Sequence, residues 1–182
     1  MSMTKSRRYQ VLSCIIMLLS SSFIAILYMQ SKKIMRLGIS VKSQKLELIH
    51  EGSVVKSFVV STSKFGTGTA MGSKKTPLGH FRIAEKIGDD APAGEIFVSR
   101  VPTGKFGKDG DPDDHVQTRI LWLEGLDADN ANTHERYIYI HGTNSESKLG
   151  SPASYGCVRM GNADLIDLYK RVDVGTVVDI YK

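Results

Sequence analysis

Cys157 and His141 are the two residues of this sequence whose types and spacing suit covalent catalysis. Cys157 stands in SPASYGCVRM and His141 in HGTN, sixteen residues earlier. A thiolate is a strong nucleophile, and a nearby imidazole can lower the thiol pKa or take its proton. The chemistry open to such a pair is acyl transfer. Sulfur attacks a carbonyl, imidazole manages the proton, and main-chain N–H groups stabilise the oxyanion. Gly156 directly precedes the cysteine, where a missing Cβ lets those N–H groups face a substrate. Arg159, two residues on, suits bidentate binding of a carboxylate, or bracing of the loop. Plainer readings compete. A single cysteine is commonly a small buried apolar residue, and a single histidine a satisfied one. A zinc site from His115, His134, His141 and Cys157 is a further option. It has one thiol and neither CxxC nor HExxH spacing, so no metal is expected.

These side chains need rigid elements to hold them. From residue 37 onward, short β-rich runs alternate with turn signals. KLELIH and SVVKSFVVS flank Glu51-Gly52, the pattern of a hairpin. HFRIAEKI, EIFVSR, TRILWL, RYIYIH and TVVDIY follow, and RYIYIH alternates as a half-buried strand does, with His141 at its end. The expected fold is mainly β, a largely antiparallel sandwich or barrel with one or two short helices. Lys64–Gly79 and Lys105–His115 are loop-like, with Thr76 and Pro77 read as a turn beside the cleft. Trp122 and Tyr139 are read as sheet residues. ADLIDLYKRV places Leu165, Leu168, Tyr169 and Val172 at helical spacing, with Asn162 as expected N-cap, Lys170 and Arg171 in the last turn, and Gly175 after the end.

The start of the chain differs from the rest. Residues 11–29, VLSCIIMLLSSSFIAILYM, carry no charge and are long enough to cross a bilayer as a helix. Residues 1–10 form a basic N-terminal region, 11–29 a transmembrane signal anchor, 30–39 a linker and 40–182 the folded domain. A cleaved signal peptide ending near Ser20 and Ser22 is the alternative, but it leaves the apolar start FIAILYM. Cys14 lies within this segment, so the folded domain holds one thiol and no internal disulfide partner. Residues 1–36 contribute six basic residues and no acid. The remainder holds 18 basic against 19 acidic residues, so the overall +5 belongs to the flanks of the apolar segment. That balance, without aromatic–basic interleaving, argues against a nucleic-acid partner.

HGTNSESKLGSPASYGCVRM closely resembles the active-site signature of the L,D-transpeptidase family, the YkuD-like catalytic domain: a His-Gly-Thr, a loop, then Ser-His-Gly-Cys and commonly an Arg. KTPLGHFRI resembles the family's Thr-Pro-x-Gly-x-Phe segment, and TRILWLEGL and RYIYIHGT resemble family strands. The resemblance covers roughly residues 40–182. It implies Cys157 as nucleophile and His141 as base, with the Gly142 carbonyl orienting the imidazole. Ser154, Gly156 and Arg159 match the remaining motif positions. Tyr155 departs from it, standing where the family usually has a second histidine. The resemblance further implies a peptidoglycan stem peptide as substrate, 3→3 cross-linking through a thioester, and no cofactor. It implies a monomer on the outer side of the cytoplasmic membrane, serving cell-wall organisation and cell shape. Hydrolysis by the same site, attachment of a protein to the wall, and a non-catalytic wall-binding module are the alternatives.

Overall fold

The computed structural model describes residues 35–182. The basic region, the expected anchor at 11–29, Cys14 and the first part of the expected linker lie outside the described residues. Among the described residues no helix is long and apolar enough to cross a membrane.

Ten strands follow in order: β1 Met35–Ser40, β2 Lys45–His50, β3 Ser53–Ser61, β4 Gly79–Ile87, β5 Glu95–Val98, β6 Val101–Phe106, β7 Val116–Gly125, β8 Tyr139–Thr143, β9 Val158–Met160 and β10 Val177–Tyr181. Among the described residues one α-helix, α1 (Asn162–Arg171), precedes β10. The strand order is β4-β10-β1-β2-β3-β9-β8-β7-β5-β6, and a further β4–β7 pairing closes the first eight into a barrel-like ring. Closure removes the exposed edges that an open sheet would present. Pairings are antiparallel except β1–β10 and β8–β9. The mainly β expectation is met.

The β2–β3 hairpin forms as its turn residues dictate. Glu51 and Gly52 have φ of 49° and 78°, the paired positive φ of a tight primed turn. In β2, Leu46 and Leu48 alternate inward and are fully buried. The ring encloses Leu37, Ile39, Phe58, Phe81, Ile83, Leu121, Leu123, Ile140, Val158 and Met160. Each such side chain contributes about 1.5–3 kcal/mol through burial. Helix α1 adds Leu165, Leu168 and Tyr169 to this core at the expected spacing, with Val172 beyond its end.

Four details differ from the sequence-based expectation. The domain begins at Met35 rather than 40, because β1 pairs with both β2 and β10 across Met35–Ser40. Strand β6, VPTGKF, has no apolar alternation because all six residues are exposed at the end of the strand order. Asn162 is the first residue of α1, and Gly161 is its N-cap. The Asn162 amide instead donates to the Thr143 carbonyl at 3.0 Å, while its oxygen accepts from the Thr118 hydroxyl at 2.5 Å. The helix N-terminal N–H is capped by Glu146 at 2.6 Å. Finally, His141 lies inside its strand, since β8 runs from Tyr139 through Thr143. The strand continues because Gly142 can pass where a Cβ would sit 2.3 Å from Asn162 Oδ1 and 2.7 Å from the Gln117 carbonyl.

Candidate active site

The register of three strands decides what meets at the site. In β7 and β8, Ile120 pairs with His141 and Trp122 with Tyr139; in β8 and β9, His141 pairs with Arg159. Side chains in register share a face, and the period is two residues. Ile120, Trp122, Tyr139, His141, Cys157 and Arg159 therefore lie on one face of this part of the sheet. Leu121, Ile140 and Val158 point the other way into the principal core. Sixteen residues apart in sequence, Cys157 and His141 are thus diagonal neighbours across a parallel strand pair. The long return from β8 to β9 exists because parallel strands cannot be joined by a tight turn.

Cys157 packs against a small second cluster of Phe97, Ile120, Trp122 and Tyr139. Its Sγ donates to the Tyr137 carbonyl at 3.3 Å and accepts from the Tyr139 N–H at 3.4 Å. The thiol's hydrogen bonds go to the main chain and not to the imidazole. Burial pushes this thiol up to about 11, against a relief from the Tyr139 N–H; Asp114 adds to the rise and Arg159 and Arg136 oppose it. His141 is 3% exposed, and burial lowers its pKa against the opposing pull of the Gly142 carbonyl. Its Nδ1 lies 2.7 Å from that carbonyl. A carbonyl only accepts, so Nδ1 carries the proton and the neutral ring keeps its basic lone pair on Nε2. This is the carbonyl that the resemblance assigns to orienting the imidazole.

Both groups are accordingly neutral at pH 7. The expected lowering of the thiol pKa by the imidazole is not what the structure has: the thiol's hydrogen bonds go to the main chain, and burial raises it. In stability terms, the unfolded chain gains a proton at His141 as pH falls through 6.5, while the folded one resists. It loses one at Cys157 above 9.0, while the folded thiol holds its proton to about 11. These two groups therefore favour the folded state most between those limits. Alkylation by iodoacetamide, followed at Cys157 by peptide mapping, is expected to be slow at neutral pH. It should climb steadily beyond pH 9, as the thiolate fraction does. A plateau reached by pH 8 contradicts a neutral pair.

The loop before the cysteine is held by Thr76 and Ser154. The buried Thr76 hydroxyl donates to the Gly156 carbonyl at 2.9 Å and accepts from the Ser63 N–H at 3.0 Å. Ser154 donates to the Cys157 carbonyl at 2.6 Å and accepts from the Gly156 N–H at 3.3 Å. Ser154 is thus a staple of the cysteine turn. The Gly156 N–H, expected to face a substrate, here donates to Ser154. Gly156 itself is required by its φ of 128°. Arg136 holds the facing loop through the carbonyls of Gly68 at 3.1 Å and Lys75 at 2.6 Å. Its place before β8 carries no motif that would have marked it.

Other expected residues fall as follows. Trp122 and Tyr139 are buried sheet residues in edge-to-face contact at 5.4 Å, as expected. Arg159 is buried and ion-paired with Asp114, a residue of the preceding polar loop. Tyr155 is 47% exposed, and its hydroxyl accepts from Lys64 Nζ at 3.0 Å. That ammonium lowers the phenol's pKa. Tyr155 makes no hydrogen bond to Cys157 or His141. His134 stacks on Trp122 at 3.9 Å. Among the described residues no cluster of three or more His, Cys, Asp or Glu side chains is placed to hold a metal ion.

A profile of the YkuD domain, the L,D-transpeptidase catalytic domain, matches residues 35–180, nearly all of the described chain. The chain belongs to the YkuD family. Its boundary at residue 35 coincides with the start of β1. The YkuD protein of Bacillus licheniformis is 27% identical over 147 residues, covering 80% of this chain and 64% of that protein. The YqjB protein of Bacillus subtilis is 35% identical over 98 residues, covering 51% of this chain and 53% of that protein. The chain thus spans about half to two thirds of the length of these relatives. Among solved structures, the L,D-transpeptidase of Xylanimonas cellulosilytica superposes with a TM-score of 0.51 at 21% identity, covering 81% of this chain and 60% of that one. L,D-transpeptidase 3 of Mycobacterium tuberculosis, solved with a faropenem-derived adduct, gives 0.53 at 17%, covering 82% and 60%. At these identities the structural likeness speaks to the fold.

Proposed function

We propose that this protein is a peptidoglycan L,D-transpeptidase that forms 3→3 cross-links through a Cys157 thioester. The observation that carries the reading is the shared sheet face of Cys157 and His141, with Nδ1 tied to the Gly142 carbonyl and Nε2 left basic. The thiol resting near pKa 11 dictates the order of events. Deprotonation accompanies attack instead of preceding it. His141 Nε2 takes the Sγ proton, directly or through one water, as the Sγ–C bond forms at the carbonyl of the third stem residue. Hydrogen bonds of this kind commonly tighten only when substrate is bound. The main-chain N–H of Cys157 stabilises the oxyanion. The C–N bond to the terminal D-alanine then breaks, and the imidazolium protonates the departing amine. A second stem's amine attacks the thioester and loses a proton to His141 Nε2, the C–S bond breaks, and His141 passes that proton to sulfur. No metal or organic cofactor enters this scheme.

The substrate sets the location. Peptidoglycan lies outside the cytoplasmic membrane, so we place the domain there, held as a monomer by a single helix at residues 11–29. An extracytoplasmic reporter fused at the C-terminus should be active; activity only from a cytoplasmic reporter refutes the placement.

The deciding experiment incubates the full chain in detergent with purified disaccharide-tetrapeptides and follows products by mass spectrometry. Cross-linked dimers that have lost one D-alanine are expected. Shortened stems without dimers identify a carboxypeptidase. Stable linkage to an added protein amine, without dimers, identifies protein-to-wall attachment. No product and no acyl-enzyme mass leaves a wall-binding module.

A further inference from the structure

The sulfur of Cys157 is placed by two main-chain groups, the Tyr137 carbonyl at 3.3 Å and the Tyr139 N–H at 3.4 Å. The S–H bond turns easily, so its proton can swing to His141 as the site tightens around substrate. The place of the sulfur matters more, since a shift of about 1 Å in a reacting group can lose about 10²-fold in rate. The Tyr139 N–H has a second part. It remains a donor as the proton leaves, and so favours the thiolate. Whatever holds Tyr137 and Tyr139 therefore bears on the chemistry.

Tyr137 is poorly suited to its own backbone. Its φ is 56°, a left-handed conformation that strains a bulky side chain. Its N–H closes a turn to the His134 carbonyl at 3.0 Å, a place that glycine or asparagine ordinarily fills. Such a conformation persists only where tertiary contacts over-determine it. Arg100 supplies them. Its guanidinium carbon lies 5.2 Å from the centre of the Tyr137 ring and 4.7 Å from that of Trp122. Its Nη1 donates to the Tyr139 hydroxyl at 3.4 Å. Trp122 completes the set, with its ring 5.7 Å from that of Tyr137 and 5.4 Å from that of Tyr139. One cation thus joins the side chains of both residues whose main chain meets the sulfur.

Arg100 is itself aimed by its turn. Val98 pairs with Val101, which leaves Ser99 and Arg100 as a two-residue connection with φ of 50° and 67°. Glycine, asparagine or aspartate ordinarily fill both places of such a turn. Val98 and Val101 are each 61% exposed, and of residues 98–101 only Arg100 is half-buried. The tip is fastened to this sheet face through that side chain. We propose that Arg100 is a positioning residue for the nucleophile: from the β5–β6 turn it pins Tyr137 and Tyr139, and their main chain places the Cys157 sulfur and donates to the thiolate as it forms. Its contacts are with the rings and the Tyr139 hydroxyl, so it acts through the two tyrosines. The proposal rests on Cys157 being the nucleophile, as in the reading above.

The test follows carbapenem acylation of the full chain in detergent by intact-protein mass. Varying the drug concentration separates the saturating rate from the half-saturating concentration. Arg100→Ala should lower the saturating rate about tenfold or more, with the half-saturating concentration and the unfolding temperature little changed. Arg100→Lys keeps a cation over the rings and should stay within about threefold of wild type. Tyr137→Gly removes both the ring and the strain of a positive φ. Adding Arg100→Ala to it should lower the rate less than about threefold further, since residues that act together are not additive. Should Arg100→Ala not fold, Tyr139→Phe removes the hydroxyl acceptor alone and should slow the saturating rate about threefold; an unchanged rate there overturns the proposal. Arg100→Ala that matches or exceeds wild type overturns it while leaving the nucleophile in place. A loss confined to the half-saturating concentration makes Arg100 a ligand contact and overturns it too. So does a full tenfold loss in the Tyr137→Gly background, or Arg100→Lys as slow as Arg100→Ala. A wild type that takes no carbapenem overturns the nucleophile reading and this proposal with it.

Discussion

Cys157→Ala is expected to abolish acyl transfer while leaving the fold intact. The thioester has no other sulfur on this face to form on, so product formation should fall by roughly 10⁴-fold or more, toward the uncatalysed background. The structural cost is small. The side chain lost is one partly buried thiol at the margin of the small cluster with Trp122 and Tyr139. Its hydrogen bonds to Tyr137 and Tyr139 are long ones to sulfur, at 3.3 and 3.4 Å. Unfolding temperature should therefore shift little. The same substitution should eliminate a carbapenem adduct in the intact-protein mass, which the wild type should form. An adduct retained by Cys157→Ala, or absent from both proteins, would falsify the nucleophile assignment.

His141→Ala has the second largest expected effect, and a different signature. Because the resting thiol sits near 11, only about one molecule in 10⁴ carries a thiolate at pH 7 without help. Removing the base should slow acylation by about 10²–10⁴-fold. The loss should be greatest at neutral pH and shrink as hydroxide replaces the imidazole toward pH 10. In wild type, the acid limb of the acylation profile should lie below 6.5, since burial lowers the His141 pKa and protonation removes its Nε2 lone pair. Alkylation of Cys157 at pH 10 should be nearly unchanged, because the thiolate there no longer needs a base. Equal acylation rates for His141→Ala and wild type at pH 7 would contradict the assignment. The variant also leaves the Gly142 carbonyl without its 2.7 Å donor. Circular dichroism and denaturant midpoints separate that structural cost from the chemical one.

Much of the site was legible in the chain itself. HGTN and SPASYGCVRM carry the proposed nucleophile, its proposed base and the glycines, because each of these needs a residue type that few others can replace. The hairpin at Glu51-Gly52 and the apolar stripe of α1 were legible for a similar reason: turn conformation and helical period are local properties. The β6 strand was not, since an exposed edge imposes no apolar alternation. Asn162 was misplaced because its side chain is satisfied by β7 and β8, which no local pattern records.

By itself the sequence determined which residues are chemically capable, and through them the family. Tertiary structure alone decided their state. Burial against Phe97, Ile120, Trp122 and Tyr139 leaves Cys157 a protonated thiol at rest, although a histidine stands on the same face. Tertiary pairing also decided that Thr76, ordinary in its own segment, fastens the Gly156 carbonyl, and that Asp114 claims one nitrogen of Arg159. The reason is physical. Residue type sets what a group can do, but its pKa and its partners come from desolvation and from strands brought together across long stretches of chain.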